Sequence, residues 1–144
     1  MEAFCAYQER SILEVKRKLE GLDLALDERE KVIENLIEKG FLNEDRFAES
    51  YVSGKFRFKK WGRLKIRQGL ALKGVSKDRI TIALKTIDSE LYFETIKELA
   101  VKKEKEIKDK DLFQRKIKVL RFLASKGFEQ DLCYDVVNSL FKEQ

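Results

Sequence analysis

The sequence predicts an all-α protein made of three tandem three-helix repeats that form an elongated, curved array. Three observations carry this. Pro is absent and Gly occurs only 7 times in 144 residues, while the helix-forming Leu, Ile, Lys and Glu are abundant. Apolar residues return at helical spacing along most of the chain. Finally, Ile66 to Gly74 moved forward by 53 residues meets Val119 to Gly127, and moved back by 53 it meets Leu13 to Gly21.

The elements follow in order. Helices are predicted at 2–9, 12–20, 28–39, 44–58, 62–73, 77–87, 89–106, 111–126 and 130–142. Ser11 with Glu14 fits a capping box ahead of Leu13 and Leu19, and Asp27 with Glu30 repeats that logic ahead of Ile33 and Leu36. Gly21 and Gly40 are expected to end these two helices, and Asn43 to cap a third that carries Phe47, Ala48, Tyr51 and Val52. Ile80, Ala83, Leu84 and Ile87 fall opposite Cys133, Val136, Val137 and Leu140 at the same offset of 53. The repeats are therefore placed at 1–55, 56–107 and 108–144. One trio buries little by itself, but stacking neighbours yields a continuous apolar seam, with Ile66, Leu70, Val119 and Leu123 in it. Gly69, inside a helix, would permit close packing.

Composition narrows the chemistry. The chain is 43% hydrophobic and 40% charged, which suits a folded domain with a well-solvated surface. With no His and only Cys5 and Cys133, no Cys/His zinc set, Ser-His pair or C-x-x-C motif can be assembled. The two cysteines read as small apolar residues. Glu44, Asp45 and Glu49 read as carboxylates that satisfy a helix N-terminus. The chain is expected to be a non-enzyme with no cofactor and no metal. It lacks a signal-like apolar start or a membrane-length apolar run, so the cytoplasm is the expected compartment.

Charge supplies the functional clue. Residues 1–54 carry 8 basic and 13 acidic side chains, 55–85 carry 11 basic and only Asp78, and 86–144 carry 12 of each. The middle stretch is thus a handle of +10 inside a chain of net charge +5. Lys60, Arg63 and Arg67 would share one helix face if that helix began slightly before Gly62. Such a field can meet nucleic-acid phosphate or an acidic protein surface. Phe56, Phe58 and Trp61 alternate with the cations and read as packing residues ahead of base-stacking ones. The KKEKEIKDKD segment reads as a solvated helix end and connector.

Two segments carry a family resemblance: GFLNEDRFAESYV at 40–52 and WGRLKIRQGLALKGV at 61–75. With Gly40, Phe41, Leu42, Asn43, Phe47 and Ala48, then Gly62, Ile66, Leu70, Lys73 and Gly74, the chain resembles the RecX family of RecA recombinase regulators. RSILEVKRKL, starting at Arg10, resembles the opening of the family's first repeat. The resemblance spans nearly the whole chain and is strongest over residues 10–80; the third repeat departs toward mixed charge. It implies a monomeric modulator of recombination in DNA repair and the SOS response, usually an inhibitor. Such a protein would lie in the groove of the RecA filament on DNA, lower RecA's ATP hydrolysis and strand exchange, and touch DNA weakly. On the same footing, Lys59, Lys60, Arg63, Lys65 and Arg67 are the expected binding residues. A general DNA-binding accessory protein, gripping phosphate through the basic middle repeat, is the alternative.

Overall fold

A computed structural model of the chain describes residues 1–142. Among the described residues every regular element is an α-helix: α1 (Glu2–Tyr7), α2 (Ile12–Glu20), α3 (Leu26–Glu38), α4 (Glu44–Lys59), α5 (Arg63–Leu72), α6 (Lys77–Leu84), α7 (Ser89–Glu106), α8 (Leu112–Ser125) and α9 (Gln130–Lys142). They form three trios, α1–α3, α4–α6 and α7–α9. An expected repeat boundary at 55/56 falls inside α4, because the first helix of the middle trio already starts after Asn43.

Local chemistry explains the ends. Ser11 and Glu14 form the reciprocal capping box of α2, and the Arg46 N–H donates to Asn43 Oδ1 at 3.0 Å to start α4. The box expected from Asp27 and Glu30 is not made: Ala25 is the cap, without a side-chain hydrogen bond, and Asp27 sits in the first turn. There its charge still favours the positive helix end. Gly40, Gly74 and Gly127 adopt φ of 80°, 80° and 91°, and the next N–H returns to Leu36, Leu70 and Leu123 respectively, closing the helix by a Schellman turn. Gly21 stays right-handed at φ −74°, so the glycine match at that position is one of sequence and not of conformation.

Two compact units emerge. The first comprises 1–53 and 68–86. Cys5, Val15, Leu19, Ile33, Leu36 and Leu42 make a core there, with Met1, Phe4, Ile12 and Phe41 packed at its edge. Glu44, almost fully buried, accepts from the Ile12 N–H at 3.2 Å and from Arg79 at 3.2 Å. This carboxylate therefore ties the starts of α2 and α4 to α6, instead of merely capping its own helix. A Cβ on Gly69 would lie 2.0 Å from the Tyr51 hydroxyl, which is the close packing that this glycine permits.

The second unit comprises 54–67 and the chain from Ile87 onward. Here α7, α8 and α9 pack on one another. Tyr92, Ile96, Val119, Leu123, Phe128 and Val137 are buried, as is Ile66 of α5. All four seam residues expected from the repeat, Ile66, Leu70, Val119 and Leu123, are fully buried. Both cysteines are free and buried; burial raises the Cys133 thiol to about 11, and Glu129 and Asp131 push in the same direction.

Candidate functional site

The basic handle is built at the join between α4 and α5. Lys59 closes α4, and Lys60, at φ 56°, is the one non-glycine residue in the left-handed region among the described residues. That conformation costs a Lys about 1 kcal/mol and turns the chain, so that the Trp61 N–H returns to the Lys55 carbonyl at 3.1 Å. The next residue docks by its backbone. Gly62 N–H donates to the Lys126 carbonyl at 2.7 Å, and Leu64 N–H donates to the Gly127 carbonyl at 3.0 Å. A Cβ on Gly62 would meet the Gly127 oxygen at 2.3 Å, and one on Gly127 would meet Lys65 Cβ at 2.3 Å. Only two glycines allow this approach.

The docking gathers cations. Trp61, half-buried, has Lys55 Nζ 4.8 Å and Lys65 Nζ 4.6 Å from its ring centroid, a geometry in which the ring holds both ammonium groups. Lys126 Nζ donates to the Lys59 carbonyl at 2.7 Å. Its pKa is lowered by burial first and then by the charges of Lys65 and Lys59. The fold thus places Lys59, Lys65 and Lys126 within one another's field, an arrangement that an incoming anion relieves. Lys59 and Lys60 are exposed, as is Arg67 one helical turn beyond Arg63.

Arg63 differs from the other expected binding residues. Its guanidinium pairs with Glu129 at 2.7 Å and lies 3.9 Å above the Tyr92 ring. The Arg63 N–H donates to the Tyr92 hydroxyl at 3.0 Å, and that hydroxyl donates to Glu129. Burial, then the hydrogen bond to Glu129, holds the Tyr92 hydroxyl well above the usual tyrosine range. Arg63 is therefore a fastener between α5, α7 and the start of α9. Nor does Lys60 share a helix face with Arg63 and Arg67, because the backbone of Gly62 is committed to the α8–α9 turn and α5 begins only at Arg63.

The aromatics divide likewise. Phe56 is buried with its ring 5.7 Å from that of Tyr92, as a packing residue should be. Phe58 instead is 84% exposed beside Lys59 and Lys60. Sequence reasoning missed Lys126 as a member of the cluster; the glycines at 62 and 127 were its only signal, and they do not name each other. Among the described residues, no three His, Cys, Asp or Glu side chains are grouped so as to hold a metal. No described helix is long and apolar enough to cross a membrane.

Comparison with known proteins gives this arrangement a family. The model of the second three-helix domain of RecX matches residues 43–84, and that of the third three-helix domain matches 90–137. The regulatory protein RecX of Chlorobium phaeobacteroides (strain BS1) is 30% identical over 135 residues, which cover 94% of this chain and 87% of that protein. The chain belongs to the RecX family. The regulatory protein RecX of Clostridium perfringens (strain 13 / Type A) is 37% identical over 129 residues, covering 88% of this chain. The chain spans about 60% of the length of that relative. The crystal structure of RecX from Lactobacillus salivarius superposes with a TM-score of 0.89 at 28% identity, covering 96% of this chain and 90% of that one. The matched RecX domains are the α4–α6 and α7–α9 trios, so the docking of Gly62 on the α8–α9 turn in this chain joins residues of both.

Proposed function

We propose that this RecX-family chain is a non-enzymatic regulator that binds the RecA filament on DNA and lowers RecA's ATP hydrolysis and strand exchange. The observation that carries the reading is the gathering of Lys59, Lys65 and Lys126 at one join, with Lys60 next in the chain and Lys65 over the Trp61 ring, on a backbone held by hydrogen bonds. A join whose backbone is already fixed presents its cations to a polyanionic filament at a smaller ordering cost than a mobile loop would. Arg67 extends the same surface along α5, and Arg63 acts as a positioning residue that fixes the helix carrying Lys65 and Arg67. The relatives are named regulatory proteins, which supports regulation through binding over catalysis by the chain itself. We place the protein in the cytoplasm with its partner.

Binding to RecA-coated single-stranded DNA, naked single-stranded DNA and free RecA, at one salt concentration, tests this. Preference for the coated filament supports the proposal. Equal affinity for naked DNA would instead favour a general DNA-binding accessory protein, a reading supported by the exposed Phe58 beside two lysines.

A further inference from the structure

We infer that the third trio carries a second, separate phosphate-binding groove that takes the backbone of a single-stranded nucleic acid. The groove is open, has a volume of about 550 Å3, and is lined by Lys103 and Glu106 of α7, Lys108 of the connector, and Lys118, Arg121 and Phe122 of α8. Four cations face one carboxylate. Lys108 and Arg121 have no ion pair among the described residues, whereas Lys118 pairs with Asp109 and Lys103 approaches Glu106 at 3.9 Å.

The groove is built, and does not arise from mobile lysines on a solvated connector. Arg115 donates to the carbonyls of Ile107 at 3.0 Å, Asp109 at 2.8 Å and Glu104 at 3.0 Å, and pairs with the Glu104 carboxylate. Two of those carbonyls flank Lys108, so its backbone is clamped on both sides. Phe122 holds Lys103, whose Nζ lies 5.0 Å from the ring centroid.

Internal repetition supplies an independent argument. Lys118 stands 53 residues after Lys65, the offset that also relates Ile66 to Val119 and Gly74 to Gly127. Both second helices are acid-free: α5 carries Arg63, Lys65 and Arg67, and α8 carries Arg115, Lys116, Lys118 and Arg121. Each also commits one early arginine to the fold, Arg63 to Glu129 and Arg115 to Glu104 and the connector carbonyls, although the position 53 residues after Arg63 is Lys116. The overall neutrality of residues 86–144 hides this copy, because their acidic side chains lie on other elements.

Phosphate fits better than an acidic protein surface. A nucleic-acid strand presents one charge at every nucleotide and can neutralise several cations along a short groove. Carboxylates crowded to that density on a protein would repel one another.

The test uses the full chain, a labelled oligothymidylate of about 16 nucleotides and fluorescence anisotropy across a salt series. Lys108→Gln with Arg121→Gln should flatten the dependence of log affinity on log salt by about 1.4, and weaken binding about 25-fold at about 0.1 M salt. Both side chains are exposed, so circular dichroism should match the parent. The control Lys16→Gln with Lys31→Gln removes the same charge from the first unit and should leave the slope unchanged. Three results would each overturn the assignment: no binding of the parent to naked oligonucleotide, an unchanged slope in the groove variant, or an equal loss in the control. None of them touches the RecA proposal, which is read on coated filaments. Loss of filament binding with unchanged oligonucleotide affinity would make the groove a protein contact and would also overturn the assignment.

Discussion

Replacing Gly62 by Ala should damage the fold of the second unit far more than so small a change suggests. The new Cβ would lie 2.3 Å from the Gly127 oxygen, 2.4 Å from its carbonyl carbon and 2.5 Å from the Phe128 nitrogen. All three are backbone atoms, and no side chain can swing away. Relief requires the α8–α9 turn to retreat by roughly 1 Å, which carries the 2.7 Å bond from Gly62 N–H to Lys126 out of hydrogen-bonding range. The bond from Leu64 to Gly127 weakens with it. Two such bonds contribute about 0.5–1.5 kcal/mol each, and a buried group left unpaired adds ~1–3 kcal/mol. Reduced freedom of the unfolded chain offsets ~0.4–1 kcal/mol. The expected net loss is ~2–4 kcal/mol, or about 5–15 °C in Tm for a domain of this size. Thermal and urea unfolding followed by circular dichroism would measure it. Gly54→Ala is the internal control: no atom lies within 4 Å of its Cβ position, so it should be neutral or stabilising by up to ~1 kcal/mol. If Gly62→Ala unfolds at the parental temperature, the backbone docking described above does not hold the join together.

Three further outcomes are expected. Tyr92→Phe keeps the packing against Phe56 and Phe128 but removes the hydroxyl shared by Arg63 and Glu129, so urea unfolding should show a loss of ~1–2 kcal/mol. Arg63→Gln should cost ~1–3 kcal/mol in the same assay because it leaves half-buried Glu129 without its cation, while exposed Arg67→Gln should stay within ~0.5 kcal/mol; equal costs would contradict the separate role given to Arg63. Stability should fall as pH rises from 9 toward 11: Cys133 is raised in the fold from 9.0 to about 11, so the unfolded chain loses its proton first and is favoured in that window. The loss should reach about 2–3 kcal/mol, with Tyr92 adding to it above about pH 10, and Cys133→Ala should reduce the part between pH 9 and 10, leaving the smaller share of Cys5, whose thiol burial also raises.

The fold was legible because its determinants are local. Ser11 with Glu14, Asn43, and the glycines at 40, 74 and 127 mark helix ends through bonds that span five residues or fewer. The helix starting at Leu26 shows the limit, since Asp27 and Glu30 satisfy the capping pattern yet Ala25 caps it. The site was legible in charge but not in geometry. Where α5 begins is decided by the carbonyls of Lys126 and Gly127, more than sixty residues away, and no periodicity around Gly62 encodes that partner. For the same reason Arg63 looked like its neighbours Lys60 and Arg67, although Glu129 and Tyr92 had claimed it.

The central claim, that the cations around Trp61 regulate RecA, is tested most directly by RecA ATP hydrolysis on single-stranded DNA as the chain is titrated in. The parent should suppress hydrolysis, and Lys59→Glu with Lys60→Glu and Lys65→Glu should fail to do so while keeping the parental circular dichroism. Suppression by the triple variant at parental concentrations, or none by the parent, would contradict the account.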